Sequence, residues 1–146
     1  MTAIAEVARR AAAGEAVALA TVIETIGSAP AESAMRMAVG AEGRLAGTVG
    51  GGRVEATVIG RAQEALRTGR HEVLSFTLDD DLADEGGLLC GGTVRILVER
   101  VDPPAGWAAR ALEHRTRGGR AALVARLGER VTHDVVEGEG EHLVPA

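Results

Sequence analysis

The chain has 146 residues, which fits one domain with a core large enough to fold without disulfide or metal staples. Its 16 basic residues are all arginines, interspersed with 21 acidic ones, and a net charge of −5 without a basic stripe argues against a nucleic-acid partner. The absence of lysine excludes a lysine Schiff base and the usual P-loop, and the single cysteine excludes an internal disulfide or a CxxC pair.

Thr2 is a candidate N-cap for a first helix, with Ile4, Val7, Ala8 and Ala11 at helical spacing and Gly14 as its stop. Glu6 and Glu15 interrupt this N-terminal stretch, so it is not read as a signal peptide, and no uncharged run approaches a membrane span. A cytoplasmic protein with no membrane partner is expected. Ala16 to Glu24 is apolar and β-branched without helical period, a buried strand that the GSAP turn at Gly27 to Pro30 ends. Met35 to Val39 and Arg44 to Val49 flank GAEG, a hairpin signal, and the alternation of Met35 and Met37 puts both methionines on one strand face.

From Val54 to Leu66 apolar residues recur every three or four positions, an amphipathic helix that Gly69 closes. His71 to Leu78 and Val94 to Arg100 read as strands separated by an acidic, glycine-rich loop from Asp79 to Gly92. A helix from about Ala105 to Arg115 follows, with Trp107 as a packing anchor, then strands at Ala121 to Leu127 and Val131 to Val136 and a polar tail ending at Ala146. The expected class is α/β (α+β), a single domain over residues 1–146 with a mixed β-sheet flanked by about three helices.

Two glycine segments invite chemistry. Gly50, Gly51 and Gly52 lie between a strand and a helix start, where unsatisfied N–H groups and the helix dipole favour an anion, and Arg53 adds a guanidinium. The same glycines also suit a tight turn against another backbone, and they form neither a G-x-G-x-x-G nor a Walker loop. Cys90, Gly91 and Gly92 bring a thiol and backbone N–H groups to a strand entrance, although an isolated cysteine also serves as a small buried hydrophobe. The acidic residues Asp79 to Asp81, Asp84 and Glu85 would raise the Cys90 pKa if close, and lack regular cation-ligand spacing. The histidines His71, His114, His133 and His142 are scattered, and Ser28 lacks a nucleophile elbow.

In order and spacing, ATVIETIGSAP (Ala20 to Pro30), MRMAV (Met35 to Val39), GRLAGTVGGGRVEA (Gly43 to Ala56), DDD (Asp79 to Asp81) and CGGTVRILVE (Cys90 to Glu99) resemble the XdhC/CoxI family over roughly the first hundred residues. The resemblance implies an accessory protein, a cofactor-binding chaperone rather than an enzyme. Such a protein holds molybdenum cofactor, as molybdopterin or its dinucleotide, for maturation and insertion into an apo molybdenum hydroxylase such as xanthine dehydrogenase or carbon monoxide dehydrogenase. It implies cofactor contacts at Gly50, Gly51, Gly52, Arg53, Glu55, Cys90, Gly91 and Gly92, with phosphate on the first group and pterin or metal near Cys90. Arg53 stands where the family usually has cysteine, and Ala31, Ala34 and Met35 depart from its GSSPR and GA pattern. Longer members continue into a Rossmann-like domain that is expected to be absent here, with a sulfurtransferase, a separate Rossmann-domain subunit or a second copy of the chain as further partners. A Cys90-dependent sulfur-transfer enzyme and a ligand-free interaction module are the alternative functions.

Overall fold

The computed structural model describes residues 1–27, 34–77 and 91–138. Its elements are α1 (Ala3–Ala12), β1 (Val17–Ile26), β2 (Arg36–Gly40), β3 (Gly43–Gly47), α2 (Gly52–Thr68), β4 (Glu72–Thr77), β5 (Thr93–Val101), α3 (Gly106–Thr116), β6 (Ala121–Arg126) and β7 (Thr132–Glu137). Thr2 caps α1 by accepting a 3.2 Å hydrogen bond from the Ala5 N–H, and Gly69 ends α2 in the left-handed conformation that its sequence position predicts. β1 runs two residues beyond the expected Glu24 because Thr25 and Ile26 still pair with Val94 and Thr93.

Five strands form one sheet in the order β3-β2-β1-β5-β4, and β6 and β7 form a separate two-stranded sheet. Every described pairing is antiparallel, so the mixed sheet expected from the sequence is corrected to an antiparallel one. The reason is the placement of α2. It leaves β3 at one edge and returns the chain as β4 at the other, so the two same-direction strands never become neighbours.

Alternation along the central strands builds two cores. Ala18, Ala20 and Val22 of β1, with Met37, Val39, Val94, Ile96 and Val98, pack beneath Val58, Ala62 and Ala65 of α2. Met35 packs against the same cluster, as its alternation with Met37 predicts. On the opposite face Val17, Leu19, Ala38 and Val101 meet Ala3, Val7 and Ala11 of α1 and Ala108 of α3. The helices therefore sandwich the sheet. Burying a valine or leucine here contributes about 1.5–3 kcal/mol, which explains why the small, β-branched composition suffices.

Among the described residues no helix is long and apolar enough to cross a membrane.

Candidate functional site

β3 ends at Gly47 rather than at the expected Val49, because Gly47 turns to φ +77° while the Thr48 N–H still donates to Arg36 O at 3.1 Å. Val49 then drops into the core under α2, and Gly50, Gly51 and Gly52 follow with φ of +121°, +85° and +63°. Three successive residues in conformations that side chains resist answer for the three glycines. A Cβ built on Gly51 or Gly52 would meet no atom within 4 Å, so the outer side of this turn is open.

The turn is tied down from within. The Gly50 N–H donates to Thr48 Oγ1 at 3.2 Å, the Gly51 N–H donates to Glu55 Oε2 at 3.2 Å, and Thr48 Oγ1 donates to the same carboxylate oxygen at 2.6 Å. Arg44 completes the set, its guanidinium 3.2 Å from Glu55 Oε1. Glu55 thus acts as an intramolecular anion at the start of α2, where a negative charge complements the dipole. Two of the backbone donors expected for a ligand are already engaged. Arg53, on the first turn of α2, has an exposed side chain.

The second glycine segment lies on another strand, beyond the C-terminal end of β1. Gly91 and Gly92 lead into β5, and a Cβ on Gly27 would sit 3.4 Å from Gly92 Cα. Register places Gly47 opposite Met37 and hence level with Ala20, whereas Gly92 lies beside Gly27, roughly 20 Å further along β1. Cys90, the acidic residues Asp79 to Glu85, Ser28 and His142 lie outside the described residues. Among the described residues no three His, Cys, Asp or Glu side chains are grouped to hold a metal ion.

A third feature was not foreseen. β4 starts opposite Val98, so Glu99 to Val101 have no described strand on that flank, and a polar cleft of about 560 Å³ opens there. Glu99 and His133 line it with side chains 3% and 6% exposed, His133 Nε2 being 3.0 Å from Glu99 Oε1. Among the described residues Glu99 Oε1 is buried and accepts no hydrogen bond, its contact with His133 being the ion-pair approach. Trp107, which packs on the α1 and α3 core as expected, also stacks on the His133 ring at 4.2 Å between centroids. The legible signal was Glu99 itself, a charge at an inward-facing position within the apolar run of β5.

Comparison with known proteins locates the first of these features. Residues 10–77 match the XdhC and CoxI family. This segment is an XdhC/CoxI domain segment. It contains Gly50, Gly51, Gly52, Arg53 and Glu55, while Gly91, Gly92 and the Glu99 cleft lie beyond the XdhC/CoxI match. The uncharacterized protein YqeB of Escherichia coli (strain K12) is 35% identical over 81 residues, covering 56% of this chain and 15% of YqeB. A solved structure described as a xanthine dehydrogenase from Bacillus halodurans superimposes with a TM-score of 0.71 at 22% identity, covering 98% of this chain and 47% of that one. At that identity the similarity establishes the fold, and this chain spans less than half the length of either protein.

Proposed function

We propose that the chain is an accessory protein of the XdhC/CoxI type, which carries molybdenum cofactor in the cytoplasm for insertion into an apo molybdenum hydroxylase of the xanthine dehydrogenase or carbon monoxide dehydrogenase class. The observation that carries this reading is that the open glycine turn lies wholly inside the XdhC/CoxI match. The cofactor is cargo; Gly52 and Arg53 are proposed to contact it, with Gly50, Gly51 and Glu55 shaping the turn and Cys90, Gly91 and Gly92 nearer its pterin or metal end.

The turn fits the anionic end of such a cargo in a restricted way. With the Gly50 and Gly51 donors engaged by Thr48 and Glu55, phosphate is received by the Gly52 side of the turn and the first turn of α2, with Arg53 as the charged contact. Glu55 is then a positioning residue that holds the glycines open. This division makes the negative charge of Glu55 compatible with a nearby phosphate, since Arg44 already neutralises it.

The test is anaerobic incubation of the protein with molybdenum cofactor, followed by separation and assay of bound pterin and molybdenum. Stoichiometric retention, reduced about tenfold by Arg53→Ala and lowered by Cys90→Ala, is the expected result; one charge-assisted contact is worth about that much. If nothing is retained under conditions where a longer family member retains pterin, the carrier reading fails. Binding of the apo-hydroxylase that is equal with and without cofactor then points to an interaction module.

A further inference from the structure

We infer that the cleft between the start of α1 and the ends of β3 and α3 binds a small aliphatic carboxylate, with its anionic head on Arg36 and Arg115 and its chain on an apolar wall. The cleft, of about 390 Å³, lies on the α1 side of the sheet, where Gly47 and Thr48 leave β3. The inference goes beyond the carrier reading and does not rest on it.

Arg36 is the charge that interrupts the apolar run of β2. Met37 and Val39 pack beneath α2, whereas Ala38 packs against α1 on the opposite face. Arg36 shares the face of Ala38, and with Thr2, Ala3 and Ile4 at the start of α1 it lines the cleft. Arg36 is partly buried, and burial pushes its pKa below the ordinary arginine value. Its Nη1 donates to Ala34 O at 3.1 Å, which leaves the rest of the guanidinium fork without a partner among the described residues. Gly47 gives the wall bare backbone, since a Cβ there would crowd Ala3 Cβ at 3.3 Å.

The cleft's positive charge is uncompensated. Arg115, exposed in the last turn of α3, is the second guanidinium in the lining, and among the described residues no carboxylate lines the cleft or pairs with either arginine. The carboxylates of the elements around it are engaged elsewhere: Glu6 by Arg9 and Arg10, Glu55 by Arg44, and Glu113 by Arg117. Two like charges facing one cleft repel, and an anion between them turns that repulsion into two charge-assisted contacts. Thr2 adds a donor, because its Oγ1 accepts from the Ala5 N–H at 3.2 Å and keeps its own hydrogen to give. Ala3, Ile4 and Met35 make the remaining wall apolar, and no aromatic ring stands among the described lining residues. The wall therefore suits an aliphatic chain and offers no stacking platform to a pterin or a nucleobase. A carboxylate fits better than a phosphate, since a single charge costs less to desolvate beside the partly buried Arg36 than a double one. The volume suits a chain of medium length.

The full chain is titrated by calorimetry with octanoate, acetate, octanol and inorganic phosphate. Octanoate is expected to bind at least about ten times more tightly than each of the others, because it alone uses both the arginines and the wall. Isoleucine methyl NMR locates it: the Ile4 methyl shifts on binding, while that of Ile96, buried in the core under α2, stays in place. Arg36→Met keeps an unbranched apolar stem and removes the charge, so it is expected to weaken octanoate about tenfold and to leave octanol unchanged. If that variant does not fold, Arg115→Gln, at an exposed position, is expected to weaken octanoate about three- to tenfold. Octanoate no tighter than acetate, octanol or phosphate, an Ile4 methyl that does not move, or unchanged octanoate affinity in the folded variant overturns the proposal. Arg53→Ala, which reads cofactor retention, leaves octanoate affinity unchanged, so this site and the carrier reading fail independently.

Discussion

Gly47 and Gly51 both take positive φ, +77° and +85°, yet their substitution has different consequences. A Cβ on Gly47 would fall 2.1 Å from Arg36 O, inside the neighbouring strand, while one on Gly51 would meet open space. Gly47→Ala therefore forces β2 and β3 apart and is expected to cost about 3 kcal/mol or more in urea denaturation. Gly51→Ala costs only backbone strain, about 1–3 kcal/mol, and leaves a folded protein in which cofactor retention can be measured. Glu55→Gln is expected to lower stability by about 1 kcal/mol, because it removes the charge that serves Arg44 and the helix dipole while keeping one acceptor for Gly51. The same urea denaturation checks it. The glycine triplet and Glu55 were both visible in the sequence, but their hydrogen bond was not. It depends on Thr48 folding back over the turn, which a list of residue types does not contain.

At the scale of one element, α1 carries the strongest electrostatic signature. Glu6 is buried, and its carboxylate accepts from Arg9 Nη2 at 2.7 Å, Arg9 Nε at 3.0 Å and Arg10 Nε at 3.0 Å. The hydrogen bonds from Arg9 come first in holding its pKa down to about 2 from an ordinary 4.5, burial opposes them, and those from Arg10 assist. Because the folded value lies below the unfolded one, the stabilisation is complete above pH 4.5 and is lost as pH falls through about 2. Glu6→Gln is expected to lower stability by about 1 kcal/mol at pH 7, a figure reduced for solvent screening of its arginine partners. Melts from pH 7 to pH 2 should show that difference narrowing below pH 4.5; a constant difference would assign the effect to packing instead. Helical period, caps and stop glycines made α1, α2 and α3 legible, with ends shifted by one or two residues where a neighbouring strand or a cap decides. Strand order was not legible. It is set by which edges β3 and β4 occupy, and that depends on the crossing of α2 over the whole sheet.

For the whole molecule, the five-stranded sheet and its two helical layers form the rigid part, and the β6–β7 hairpin is attached to it through a few contacts. Val135 is the buried hydrophobic residue of these two strands, and a two-stranded ribbon is only marginally stable by itself. The attachments are His133 against Glu99 and Trp107, Arg110 donating to Val135 O at 3.5 Å, and His114 Nε2 at 2.7 Å from Glu137 Oε1. Backbone amides of β6 and β7 are therefore expected to exchange at least about 100-fold faster than those of β1 and β5, whose side chains fill both cores. Hydrogen exchange read by mass spectrometry measures this directly. Because His133 belongs to the hairpin and Glu99 to the sheet, the contact between them is one that holds the two parts together. His133→Ala should therefore speed exchange in β6 and β7 further while leaving β1 unchanged, since it loosens only the openings that free the hairpin. Acceleration that reached β1 equally would mean that hairpin and sheet open together as one cooperative unit.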